Sequence, residues 1–493
     1  MGGRAAAGIL SLVLLLALDS CASVATRKGF YEPIMVDLRA QDYEAAVRKI
    51  EAAAEKQRYA EKDRLLYYLD SGLAHHYARS LPESNERLTL AEETGEALFT
   101  KSVSRAAVSL LLNDNVLEYA GEDHEILYTN LIKALNYLTM RQFDDAFVEI
   151  RRANEKLDLL EQKYDAAGKM LREGAENDTA GVAIDYRAEH VRFENDAFAR
   201  YLSMHLYAAD GLFDDAEIDL RKLKEAYRTQ PHIYPFQVPD VRYSTPRNAV
   251  LSVIALAGLS PTKEALNLRI RTDKDLNLVQ ILYTDGKNEG QEYGHLFLPI
   301  DVDYYFKFSI PQIVSRPSTV RTVRLSADSE LIGELRLLED VGLVAAETFE
   351  ARKSLIYLRA VGRAVFKGLL GEKLKKKAEG KEKEKRRKKK GKRDDTSEKE
   401  GSRRRDIGAR FGTWLKKVAV DVAMEVSENA DLRCSELLPG QVLVGDFELE
   451  PGVYDLRVDF LGAGGRILES KEFPRYEVAG GGGLNLIEAV YLN

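Results

Sequence analysis

The 493-residue chain reads as an α+β multidomain protein. Apolar residues recur at helical spacing from about residue 33 to 230. Pro231, Pro235, Pro239 and Pro246 then interrupt the helices, and beyond them the apolar period shifts to two. A strongly basic run later separates two amphipathic helices. The expected order is a helical region at 33–230, a β-rich domain at 247–340, a helical hairpin at 345–428 with a disordered basic loop at 373–405, and a small β-sandwich-like module at 431–493.

Ahead of the helices lies a short leader. Arg4 supplies positive charge, Ile9 to Leu18 is apolar, and Leu18-Asp19-Ser20-Cys21 closes the run. This is the layout of a secretory signal, too short to span a bilayer. The Cys placement resembles the lipobox of bacterial lipoproteins. That resemblance implies a signal peptide at 1–20, lipid on Cys21 and a tether over 21–32. A plain secretory signal cut near Ala22 or Ser23 and an uncleaved membrane anchor are the other readings of the same layout. Several acyl chains, each contributing ~0.8 kcal/mol per buried CH₂, would make attachment stable without a membrane-spanning helix.

The helical region carries a recurring motif. A helix, a turn containing Asp or Gly, and an aromatic-x-x-Ala start to the next helix occur at Tyr43 to Ala46, Phe143 to Ala146 and Phe213 to Ala216. Small Ala lets two helices approach, the aromatic fills the gap beside the turn, and Asp suits the start of the second helix. Tyr207 and Gly211 precede the third instance, and Ala134 and Tyr137 precede the second. Pro33 is expected to shorten the helix before the first. A weaker fourth pair has Leu73, Ala74 and Tyr77 on its first helix and Ser84 near the Ala position. The motif resembles the tetratricopeptide repeat, a 34-residue helix pair. The resemblance implies a curved solenoid whose concave groove binds partners. Its packing positions here are Tyr43, Ala46, Ala134, Tyr137, Phe143, Ala146, Tyr207, Gly211, Phe213 and Ala216. Intervals of about 100 and 70 residues make the array irregular, with insertions such as 166–190. Tyrosines on the first helices, including Tyr128 and Tyr201, are expected mostly as core filler.

In the β-rich domain, Ala249 to Ala257 is a continuous apolar run suited to a strand buried on both faces. Alternation marks further strands around 266–270, 302–310 and 320–325. The C-terminal module has strand patterns near 441–444, 453–460, 467–473 and 485–492, with Gly-rich turns between them.

Composition limits the chemistry. Hydrophobic residues make up 45% of the chain, so most of it should fold. There are two cysteines; lipid on Cys21 leaves Cys434 alone, with no internal disulfide, as an expected buried small hydrophobe. The net charge of −7 conceals a local +11 in Lys373 to Arg405 and leaves −18 on the remainder. That run reads as a solvated loop able to meet anionic lipid or lipopolysaccharide; it lacks the aromatics that nucleic-acid binding would use.

No catalytic, cofactor or metal residues are assigned. Adjacent His75 and His76 point to different helix faces. Gly258 to Thr262 departs from a nucleophile elbow at Pro261 and Thr262. Lys263 lacks phosphate-loop spacing, and Asp301-Val302-Asp303 lacks further calcium ligands. Asp144-Asp145 and Asp214-Asp215 fit helix starts.

The order of parts resembles a poorly characterised family of bacterial envelope lipoproteins with N-terminal tetratricopeptide-like repeats. The specific echoes are Leu135 to Leu138 with Val148 to Arg152, Gly258 to Lys263, and Ala430 to Arg433 with Leu437 to Pro439. The resemblance implies a lipid-anchored outer-membrane protein, facing the periplasm, that scaffolds other envelope proteins through its helical groove. An envelope enzyme or carbohydrate-binding protein with its site in the β regions is the alternative.

Overall fold

The structure, a computed structural model, describes residues 28–104, 117–159, 195–297 (save 274, 277 and 285), 305–350 and 430–493, with a few isolated positions. Cys21, the insertion at 166–190 and the basic loop with most of its flanking helices lie outside the described residues.

The described chain is mixed α+β. Its helices are α1 (Lys28–Arg39), α2 (Tyr43–Glu55), α3 (Arg64–Tyr77), α4 (Leu81–Ser104), α5 (Asp123–Thr139), α6 (143–159), α7 (Ala197–Ala209), α8 (Phe213–Thr229) and α9 (341–350). They pair as α1–α2, α3–α4, α5–α6 and α7–α8, and each pair turns in the same way. The turning residue is left-handed: Gln41, Arg79, Arg141 and Gly211 have φ of 60°, 63°, 59° and 77°. Its N–H donates to the carbonyl three residues back, and the next N–H to the carbonyl five back, as in Asp42 to Asp37 (3.0 Å) and Leu212 to Tyr207 (2.8 Å). This pair of hydrogen bonds closes a helix C-terminus and aims the chain back along itself. The same register puts Ala46, Ser84, Ala146 and Ala216 at one equivalent position, all 0% exposed. Ser84 uses its hydroxyl to donate to the Gly72 carbonyl at 2.8 Å. A Cβ on Gly72 would lie 2.6 Å from the Leu88 side chain, so α3 and α4 need glycine there. Pro33 does not cut α1 short; the helix begins at Lys28 and runs through it.

The strands are β1 (Ala249–Leu259), β2 (Thr262–Asp273), β3 (Leu278–Tyr283), β4 (Glu292–Phe297), β5 (Tyr305–Val314), β6 (Thr322–Ala327), β7 (Glu330–Asp340), β8 (Pro439–Leu449), β9 (Gly452–Leu461), β10 (Ile467–Val478) and β11 (Asn485–Tyr491). They form a seven-stranded sheet of order β10-β9-β6-β7-β8-β1-β11 and a four-stranded sheet of order β4-β3-β2-β5. The larger sheet curls toward a barrel: the Tyr476 hydroxyl on one end strand donates to the Leu486 carbonyl on the other at 3.3 Å.

This topology corrects the expected division into a β-rich domain and a separate C-terminal β-sandwich-like module. β1 pairs in parallel with β11 and antiparallel with β8, while β6 pairs with β9. Each segment supplies strands whose edges the other completes, so neither forms the larger sheet alone. Local alternation finds strands but is silent about long-range partners.

Period-two geometry explains the continuous apolar run in β1. Leu251, Val253, Ala255 and Ala257 face the sheet's own interior with Val323, Leu325, Val458 and Phe460. Ile254 and Leu256 face the other way and join the helical core, with Val442, Val444, Val490 and Leu492 from neighbouring strands. One apolar core is therefore continuous between helices and sheet.

Candidate functional site

The polar groups of the first helices converge on the sheet. Where a solenoid groove was expected to stand open, the chain's own strands cover that face. Tyr201 donates to Asp446 at 2.7 Å, and His205 lies 3.4 Å from the same carboxylate. His76 and Arg79 meet Glu488 at 2.8 and 2.7 Å. Tyr77 donates to the Leu437 carbonyl at 2.7 Å. Glu339, at the end of β7, accepts from the Tyr128 hydroxyl, the Tyr234 hydroxyl (2.9 Å) and the Phe198 N–H (3.4 Å).

The densest contact surrounds Ala430 to Leu438, a strap without regular structure leading into β8. Arg433, 2% exposed, grips Asp431 with two nitrogens (2.9 and 2.7 Å) and reaches Asp63 and the Leu117 carbonyl, both at 2.9 Å. Its guanidinium also lies over the Tyr119 ring at 5.2 Å. Lys263 pairs with Glu122 and donates to the Arg433 carbonyl at 2.9 Å. Ser435 donates its N–H to Glu125 (2.6 Å) and its hydroxyl to Asp70 (2.7 Å). Tyr31 and Tyr59 also donate to Asp70, at 2.7 and 2.9 Å. Ser260 N–H donates to the Leu438 carbonyl at 2.8 Å. Two segments singled out in the sequence, 258–263 and 430–439, therefore meet.

These groups are sealed: Asp63, Asp70 and Glu125 are 0% exposed. Burial pushes the Asp70 carboxyl up to about 7, against three hydroxyl donors that favour its charge. Burial, with Glu122 beside it, pushes Glu125 to about 7. Burial also raises Asp196 to about 6 and carries Glu339 well above the carboxylate range, with Asp196 adding to that rise. A second cluster behaves oppositely. Burial alone would raise Glu92, but Lys156, Asn130 and Lys133 outweigh it and hold the carboxyl at about 2.

A pH dependence follows. Unfolded, Asp70 and Glu125 ionise near their ordinary values of 3.8 and 4.5; folded, near 7. Between those limits the folded chain binds more protons, so stability falls as pH rises. The depressed Glu92 adds stability as pH climbs from about 2 to 4.5. On these groups stability should peak near pH 4 and fall by about 5 kcal/mol between pH 5 and pH 8. Denaturant titrations across pH measure this, and Asp70→Asn should flatten the neutral limb. Stability rising steadily from pH 5 to 8 would contradict it.

The sequence-derived positions fall as follows. Ala46, Ala134, Ala146 and Ala216 are fully buried at helix crossings; Tyr43, Tyr137, Phe143, Tyr207 and Phe213 pack half-buried against the same core. Gly211 makes the left-handed turn. His75 faces Glu51 at 3.8 Å while His76 faces Glu488, on separate sides of α3. Cys434 is buried, and burial pushes its thiol up to about 12, which suppresses the nucleophilic thiolate. No group of three or more metal-ligating side chains occurs among the described residues. The buried charges Asp63, Asp70, Lys133, Glu339 and Asp446 were not singled out from sequence. A signal existed: Lys133 interrupts Leu131-Ile132 and Ala134-Leu135, and Asp70 interrupts the Leu66, Leu69, Leu73 stripe.

An open groove of 430 Å³ lies elsewhere, between α4 and the α5–α6 turn, lined by Asn85, Glu86, Leu90, Glu93, Tyr137 and Met140 among others. No protein-family model matches the chain, and no curated protein matches it.

Proposed function

We propose that the chain is an exported protein, held at a membrane surface by lipid on Cys21, that acts as a protein-binding scaffold. The observation that carries this reading is the set of four helical hairpins sharing one turn geometry and one close-packing position. We read them as tetratricopeptide-like, a module type commonly used for binding. The usual groove face is occupied by the chain's own sheet, so binding falls to the outer surface of the second helices. The buried carboxylates support a structural role for the titratable clusters, since substrate would need a path to groups that are sealed. The Lys373 to Arg405 run would add attraction to anionic headgroups, each Lys or Arg near the surface contributing about 1 kcal/mol.

Fatty-acid probe labelling in bacterial cells, with Cys21→Ala as the control, tests the anchor. The native chain should label and the variant should not; equal labelling removes the lipid. Crosslinking in intact envelopes tests the scaffold. A reproducible partner lost when exposed residues of the second helices are substituted supports it, and recovery of no specific partner contradicts it.

A further inference from the structure

We propose that Asp196 and Glu339 share one proton, which clasps the start of α7 to the end of β7, so that alkali releases the α7–α8 hairpin from the sheet. This clasp is separate from Asp70 and Glu125, which act at the strap, and it does not depend on the scaffold reading.

Both residues are 0% exposed. Asp196 caps α7, and its Oδ1 accepts from the Ala199 N–H at 2.6 Å. Its Oδ2 is buried and receives no donor; the polar group it meets is the Glu339 carboxyl, within hydrogen-bond reach. Glu339 already accepts from the Tyr128 hydroxyl of α5, the Phe198 N–H (3.4 Å) and the Tyr234 hydroxyl (2.9 Å). Tyr234 in turn accepts from the Ala197 N–H at 3.0 Å, so one hydroxyl bridges the helix start and the carboxyl. Without a proton, Asp196 and Glu339 would face each other acceptor to acceptor. Two carboxylates in contact inside a sealed site cannot both stay ionised. One proton between them turns repulsion into a hydrogen bond and satisfies the orphaned Oδ2. It belongs to the pair rather than to either residue.

The surrounding groups do not replace that proton. Tyr128, Tyr234 and, from α8, Tyr227 are phenols that burial keeps neutral. Arg200 acts on Asp196, but its guanidinium is engaged by Asp219 (3.3 Å) and Asn195 Oδ1 (2.7 Å). Among the described residues, hydroxyls and one N–H contact Glu339, with no ammonium or guanidinium. Burial, and then Asp196, accordingly hold the Glu339 carboxyl well above the carboxylate range. The unfolded chain releases its protons near the ordinary values of 3.8 and 4.5. The stability contributed by the pair is therefore present in acid and lost as pH rises through the folded titration. Once the proton leaves, two anions oppose each other across the joint, and the helix start held through Ala197 and Phe198 parts from β7.

The test uses the full mature chain carrying Cys21→Ala. Infrared difference spectra of that chain against its Glu339→Gln variant, taken from pH 7 to pH 10, should show a carboxylic-acid C=O band that fades as pH rises. Asp70 and Glu125 are common to both chains and cancel. Asp196→Asn keeps a good helix cap and puts a permanent N–H donor where the shared proton lies. Above the pH at which the band fades, hydrogen exchange over 196–202 should be about tenfold slower in Asp196→Asn than in the parent chain; at pH 5 the two should match. Glu339→Gln also brings a donor and should behave likewise. No band, or a band that persists unchanged to pH 10, overturns the proposal. So does equal exchange in parent and both variants after the band has gone. Equal slowing at pH 5 and at alkaline pH marks ordinary stabilisation and overturns it too.

Discussion

Arg433→Met should cost about 4 kcal/mol of unfolding free energy, the scale expected when one member of a buried ion pair is removed. The side chain is 2% exposed and neutralises two carboxylates from distant parts of the chain, Asp63 before α3 and Asp431 in the strap. Methionine matches much of its length but leaves Asp63 without its ion-pair partner and Asp431 with only the Lys263 charge nearby. Buried charge left unpaired in this way is costly and loosens the strap from the helices. Arg433→Lys should recover little, because a single ammonium cannot reproduce the two-nitrogen grip on Asp431 together with contacts to Asp63 and the Leu117 carbonyl. Urea unfolding of the variants measures this. A loss below 1 kcal/mol would mean that the strap is not fastened at this residue.

Lys133→Met should cost about 3 kcal/mol. Lys133 is 1% exposed on α5, 2.9 Å from Glu92 on α4 and 3.0 Å from Glu149 on α6. Removing it leaves Glu92 to Lys156 and Arg152, both at the solvent edge, and Glu149 with Asn130 and Arg152. The loss should therefore be smaller than at Arg433. Adding Glu149→Gln to Lys133→Met should return part of it, since that removes a charge the first change stranded. Additive losses in the double variant would contradict a shared buried network.

Much of the local architecture was legible. The aromatic-x-x-Ala motif marked the second helix of three pairs, because the close crossing behind the turn admits only a small side chain. The fourth pair was marked more weakly, because Ser84 stands where the others have Ala and hydrogen-bonds Gly72 instead. The alternation in β6, β8 and β9 was readable, as was the double-sided burial of β1. Partnering was not. Whether β6 pairs with β9 or β1 with β11 depends on contacts more than a hundred residues apart, which no local period encodes. The occupied groove was hidden for the same reason. Tyr77, Tyr128 and Tyr201 look like core filler or groove lining by spacing alone, yet each hydroxyl finds its acceptor in a later segment: Leu437, Glu339 and Asp446.

The strap at 430–438 is seated between the helices and the sheet and closes the face that the first helices turn toward the strands. Cys434 reports on it directly, being 6% exposed and the sole thiol once Cys21 is changed to Ala. The measurement is thiol labelling of the Cys21→Ala chain by a disulfide reagent at pH 8, with and without urea. The native protein should label negligibly, with the rate rising through the unfolding transition and already raised in Arg433→Met. Complete labelling of the native protein within the mixing time would contradict it.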